Sequence, residues 1–180
     1  MKVRKLTSMS LMIAVSIVLV TLLHFPIFPG APFLEYDPAD IPILLCALLF
    51  GPAQGLLATA AASIVQGVTV SAASGPYGII MHIIATGTYV LVAGAANKRF
   101  GKKWKGNAVS LLLGGIAMAA VMIPANIIIT PIFLGGTMEN VMDILLSAIV
   151  PFNLLKAGIN GAVTFVLYRA LKKYTDRYFS

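Results

Sequence analysis

Acidic side chains are scarce in this 180-residue chain: there are six, against thirteen Lys and Arg, and charged residues make up only 11% of the whole. With 59% of residues hydrophobic and a mean hydropathy of +0.93, too little polar surface remains to cover a water-soluble globule. The composition is that of an integral membrane protein. Cysteine is limited to Cys46, inside an apolar run, so no intrachain disulfide is possible and packing is its expected role. The histidines, His24 and His82, have no clustered cysteines to build a metal centre, and no GxxxxGKS/T, HExxH or GxSxG pattern occurs. No catalytic residue, metal or resident cofactor is expected, and the energy for any active process must come from elsewhere.

The formal charge of +7 would point to nucleic acid in a soluble protein, but here the distribution matters more than the total. Twelve of the thirteen basic residues form three groups: Lys2, Arg4 and Lys5; Lys98, Arg99, Lys102, Lys103 and Lys105; and Arg169, Lys172, Lys173 and Arg177. Basic residues beside membrane spans stay on the cytoplasmic side, which places both termini and the 98–105 loop inside. Five of the six acids, Glu35, Asp37, Asp40, Glu139 and Asp143, fall in the segments that are then outside. A nucleic-acid partner has no support; the lipid bilayer is the expected surroundings.

Six spans fit this pattern, at about 6–23, 38–50, 52–70, 79–97, 107–130 and 143–168, forming one membrane domain, an all-α bundle of six transmembrane helices. The first has a basic start and an apolar stretch but no small-x-small cleavage site before His24 and Pro26, so it reads as a retained span. Residues 24–40 carry four prolines and form a long outside loop of fixed shape, either a lid or a passive linker. The second and third spans make a hairpin turning at Gly51, with Asp40 as N-cap of the short arm; no basic residue of that stretch marks the turn as cytoplasmic. Residues 71–78 read as an outside turn, and 131–140 as a second outside loop. Pro124 and Pro151 fall inside the last two spans and free backbone carbonyls there, either for a polar cavity or for plain kinks satisfied by neighbours.

One basic residue remains. Lys156 lies in a run that is apolar from Ile144 to Tyr168 apart from small residues and amides, and about 13 residues, or roughly 20 Å, separate it from either end of its helix. Its stem cannot snorkel that far. Asn153, Lys156 and Asn160 fall within roughly 60° of one another on the helix, so they share a face. An ammonium at mid-membrane needs a partner, a hydrated cavity or a ligand. The structural alternative is a lysine paired with Asp37, Asp40, Asp143 or a backbone carbonyl. Asn126 from the fifth span, and His82, Thr86 and Tyr89 from the fourth, have the spacing to converge on the same outward-opening pocket, although a lone helical histidine is more often packed and hydrogen-bonded than a ligand. Amides offer paired donors and acceptors suited to the edge of a neutral heteroaromatic ring, and lysine adds a charge-assisted bond. Small residues at Ser10 and Ala14, and at Ala157 and Gly161, permit close helix approach, and the first pair would serve a partner membrane protein if it faces outward.

"LEYDPADIPILLCALLFGPAQG" (34–55), "ANIIITPIF" (125–133) and "PFNLLKAG" (151–158), in this order, resemble the riboflavin-binding S component of energy-coupling factor (ECF) transporters. The resemblance spans nearly the whole chain. It implies a non-enzymatic capture subunit in a prokaryotic plasma membrane. Such a subunit binds a vitamin from outside and works with a membrane T component and two ATPases. It further implies flavin contacts at Asn126, Asn153 and Lys156, a lid formed by Phe33, Leu34, Glu35, Tyr36 and Asp37, and T-component docking through Ser10 and Ala14. Many relatives carry Lys-Asn midway along the third span, where this chain has Ala62 and Ser63. The rival readings are an S component for another vitamin or for FMN, and a small membrane enzyme or channel. The enzyme lacks a nucleophile–base pair, and the channel lacks a polar path from side to side.

Overall fold

Glycine, proline and basic residues cut the apolar sequence into helices of very different length in the computed structural model, which describes residues 2–101 and 103–179. Lys102 of the central basic group, and the side chains of Lys2, Lys173 and Arg177, lie outside the described residues. The first helix, α1 (Lys2–Leu22), leads into the proline-rich segment, which is pinned by an antiparallel pair, β1 (Phe25–Pro26) with β2 (Glu35–Tyr36). Then come α2 (Asp40–Phe50), α3 (Pro52–Val68), a 3-10 turn at Ala72–Ser74, α4 (Gly75–Phe100), α5 (Trp104–Leu134), α6 (Met138–Ile144), a π-helical turn at Leu145–Ile149, and α7 (Val150–Phe179). The last three form a continuous rod over Met138–Lys172.

Among the described residues, four helices are long and apolar enough to cross a membrane: Val3–Leu22, Gly75–Phe100, Trp104–Leu134 and Met138–Lys172. At 1.5 Å per residue, α2 reaches only about 16 Å, about half the hydrocarbon thickness. It compensates by position. Every residue from Asp40 to Leu48 is buried, because α2 runs through the middle of the bundle against α1, α3, α4 and α7. Its exit is a sharp turn at Gly51, whose φ of 110° suits only glycine. The freed carbonyls at this helix end are capped from a distance: Lys5 Nζ donates to Phe50 O at 3.2 Å and Asn97 Nδ2 to Leu48 O at 3.2 Å. Lys172 Nζ reaches Gly101 O at 3.4 Å. The basic start of α1, the Gly51 turn, the α4–α5 connection and the far end of α7 therefore gather at one end of the bundle.

Several local expectations are revised. Asp40 is not an N-cap: that position is Ala39, with no side-chain cap, and the Asp40 carboxylate is taken up elsewhere. Much of the 71–78 turn is helical, since α4 starts at Gly75 with Pro76 in its first turn, where a missing N–H costs nothing. The 131–140 loop shrinks to residues 135–137, because α5 continues through Pro131 and α6 begins at Met138. Pro131 forfeits the one bond its missing N–H would make to the carbonyl four residues earlier, and α5 continues through it, so sequence punctuation overstated the break.

Candidate functional site

The loop residue Asp37 and four helices, α2, α3, α4 and α7, build a buried polar cluster. Asp37 and Asp40 stand at the entry to α2, and Lys156 and Asn160 project from successive turns of α7. Lys156 Nζ donates to Asp37 Oδ2 at 2.8 Å and lies 3.9 Å from Asp40 Oδ2. Asn160 Nδ2 donates to Asp37 O and to Asp40 Oδ2, each at 3.2 Å. The other oxygen of Asp40 accepts from Thr86 Oγ1 at 2.7 Å and meets His82 Nε2 at 3.0 Å, both from α4. The second ring nitrogen of His82 meets Ser63 Oγ of α3 at 2.9 Å. Ser63 is itself bonded to Thr59 O at 2.7 Å, so this chain of contacts ties α3 and α4 to the α2 entry.

The structural alternative for Lys156 thus describes part of its surroundings. Asp37 is a direct partner, Asp40 a nearby one, and Asp143, exposed on α6, takes no part. Burying an ammonium costs several kcal/mol, of the order of 2.5–3.5 on insertion scales, and the adjacent carboxylates offset it. The same contacts fasten the proline-rich segment. Tyr36 donates its hydroxyl to Asn160 Oδ1 at 3.0 Å, Asp37 Oδ1 accepts from Ala39 N–H at 3.0 Å, and Ser16 Oγ of α1 donates to Ala39 O at 2.7 Å. Partial burial, reinforced by the Asp37 carboxylate, raises the Tyr36 phenol pKa above its ordinary value, which keeps it a donor.

Beside the cluster lies a cavity of about 160 Å³. Of the residues expected at the site, Asn126, Asn153, Lys156, His82, Phe33, Leu34, Glu35 and Asp37 line it. Tyr36, Thr86 and Asn160 do not; they belong to the network behind the wall, holding Asp37 and Asp40 in place. Tyr89 also lies elsewhere, donating its hydroxyl to Ala157 O at 3.0 Å between α4 and α7. Ser10 and Ala14 are exposed on the outer face of α1, away from the cavity.

The two lining asparagines sit in matched settings. Each follows a helix-interior proline by two residues, and each turns its amide N–H back to the carbonyl four residues earlier: Asn126 to Met122 O and Asn153 to Ile149 O, both at 2.8 Å. Asn126 Oδ1 then accepts from Thr130 Oγ1 at 2.9 Å. The π-helical turn immediately before Pro151 absorbs the irregularity of α7 and re-aims the following residues. Spacing alone does not reveal Asp40 as the hub of the cluster, nor Ser63 and Gln66 as part of the cavity wall. A buried acid in the first turn of an otherwise apolar helix was the available signal for Asp40.

Residues 4–168 match the family model described as "ECF transporter, substrate-specific component". The chain is 30% identical to "Riboflavin transporter FmnP" of Bacillus subtilis (strain 168), covering 98% of this chain and 96% of the relative. It is 27% identical to "Riboflavin transporter RibU" of Staphylococcus aureus (strain TCH60), over 97% and 93% respectively. A solved structure described as "Structure and mechanism of the S component of a bacterial ECF transporter" superposes with a TM-score of 0.84 at 26% identity, over 97% of this chain and 98% of that one.

Proposed function

The chain belongs to the family of ECF transporter substrate-specific components, and from that premise we propose that its cavity captures riboflavin at the outer face of a prokaryotic plasma membrane. Uptake is then driven by ATP through a T component and two ATPase subunits, with the exposed Ser10–Ala14 face of α1 as the docking side. The flavin is cargo, bound and released unchanged, so no resident cofactor is required. The bundle crosses six times with both termini in the cytoplasm, and the loop between α1 and α2 faces outward.

The observation that carries this reading is the convergence of Asn126, Asn153 and Lys156 on one cavity, closed on one side by Phe33, Leu34 and Asp37. Its electrostatics suit an uncharged ring. The ammonium is already balanced by Asp37, so a neutral guest need supply no countercharge, and the amides give direction without charge. Lys156 still has donor capacity beyond its bond to Asp37, because an ammonium carries three N–H groups.

The test is direct. The full chain, purified in detergent from flavin-containing cells, is expected to carry a flavin visible spectrum and to quench the fluorescence of added riboflavin. A colourless protein that leaves riboflavin fluorescence unchanged overturns the reading.

A further inference from the structure

A second cavity, of about 290 Å³, lies apart from the polar cluster, in a groove between α5 and α7 with Tyr89 of α4 in its lining. Ala108, Leu112 and Gly115 face it from α5, and Gly158, Ala162 and Phe165 from α7. Small side chains leave the gap. A Cβ built on Gly158 would meet nothing within 4 Å, so the groove is open at that point and not closed by packing. Tyr89 supplies the lining's one polar side-chain atom, and that hydroxyl is spent on Ala157 O at 3.0 Å. The lining side chains therefore offer a guest apolar contact alone.

Both walls of the groove run out into positive charge at the same end of the bundle. On α5, Lys105 precedes Ala108 by three residues and Leu112 by seven, which puts it on the groove face. On α7, Arg169 follows Phe165 by four, and its guanidinium carbon lies 5.7 Å from the centre of the Phe165 ring. Both cations are exposed. Trp104, the chain's only tryptophan, is exposed beside them, with Lys105 Nζ 5.6 Å from its ring centre. Tryptophan and basic side chains together mark a membrane–water boundary. From Phe165 to Leu154 the groove runs about 16 Å inward at the helical rise, close to the roughly 15 Å of hydrocarbon in one leaflet.

We infer that this groove binds an anionic phospholipid from the leaflet at the basic end, with one acyl chain against Gly158 and Ala162 and the phosphate at Lys105 and Arg169. Charge at the mouth selects an anionic headgroup, and the depth fits one chain. A transmembrane helix, about 10–12 Å across with its side chains, would cover the rim without filling the gap behind it. The helix proposed for partner docking, α1, packs on α2 and α3, so a lipid seated between α5 and α7 leaves that face free.

The full chain, reconstituted in phosphatidylcholine bilayers, tests this through Trp104 fluorescence. The quenchers are phosphatidylglycerol and phosphatidylcholine with the same acyl chains, brominated near the headgroup end. Phosphatidylglycerol is expected to reach half-quenching at a bilayer fraction at least about fivefold lower, as the attraction of one or two basic side chains gives. Lys105→Gln combined with Arg169→Gln is expected to bring the two lipids level. Gly158→Leu keeps both charges but fills the groove, and it is expected to remove most of the preference as well. Ala162→Leu, one turn further along α7, makes the same test should Gly158→Leu fail to fold. Equal quenching by the two lipids in the wild type overturns the site. So does a preference that survives the groove-filling variants, which would leave a basic surface with no seated chain. Light scattering covers the remaining occupant: a wild-type dimer that Gly158→Leu dissociates would assign the groove to a second copy of the chain and overturn the lipid.

Discussion

Lys156 is held by a carboxylate 119 residues away in sequence and still lines the cavity, so its two roles have to be separated by experiment. Replacing it alone by Met strands Asp37 in a buried site, a loss of about 3–5 kcal/mol for a broken buried pair. Lower flavin affinity in Lys156→Met would then be ambiguous. The pair of changes Asp37→Asn and Lys156→Met removes both charges together, and replacing a buried pair by neutral groups is far less damaging than breaking it. The expected outcome is a double variant whose thermal unfolding returns close to that of the wild type while riboflavin titration shows binding weakened at least about tenfold, as for one lost charge-assisted bond. Full recovery of affinity would show the lysine to be a structural partner only. The face shared by Asn153, Lys156 and Asn160 was legible because helical period is a local property. Which of the three reach the cavity was not, since Asn160 is turned away by acids contributed from the α2 entry.

Helix lengths and approach distances carry the next level. Helices occupy the stretches read as spans, four of them long and apolar enough to cross a membrane among the described residues, but α4, α5 and the α6–α7 rod extend further than hydropathy marked them, because polar and glycine-rich ends continue a helix wherever a neighbour caps or covers them. The Gly114–Gly115 pair reads as helix packing, and the reason lies in α4: a Cβ built on Gly114 would stand 2.7 Å from Tyr89 Cδ2 and 2.8 Å from Ala93 Cβ. Those contacts are too close for any side chain, so α4 and α5 must separate to accept one. Gly114→Ala is expected to destabilise the protein by about 1–3 kcal/mol, read as a lower midpoint of thermal unfolding in detergent. The same shift moves Tyr89 and disturbs its bond to Ala157 O, coupling α4 to α7. An unchanged midpoint would mean that the two helices have slack at this crossing. The π-helical turn before Pro151 had no sequence signal beyond the proline itself, since where a helix absorbs such a defect depends on what packs around it.

Orientation in the membrane is a property of the whole chain, and the basic groups argue it more strongly in space than in sequence. No basic residue adjoins Gly51 along the chain, yet Lys5 caps the carbonyl of Phe50, and a Cβ on Gly51 would lie 3.3 Å from Lys98 Cε. The Gly51 turn therefore lies among basic residues, whereas Glu35, Asp37 and the cavity lie toward the opposite end, and the proposed orientation puts the basic end in the cytoplasm by the positive-inside bias. The native Cys46 is fully buried in α2, which leaves a silent background for thiol labelling. Gly30, on the proline-rich segment, is exposed with nothing within 4 Å of a built Cβ, and Lys105 is exposed at the start of α5. In intact cells a membrane-impermeant maleimide is expected to label Gly30→Cys at once and Lys105→Cys only after the membrane is permeabilised. The reverse pattern would turn the cavity toward the cytoplasm, where a binding site of this kind could not collect a nutrient from outside. Labelling of Gly30→Cys that falls when riboflavin is added would further place the proline-rich segment over the occupied cavity, since the Tyr36–Asn160 and Asp37–Lys156 contacts give it a seat on α7.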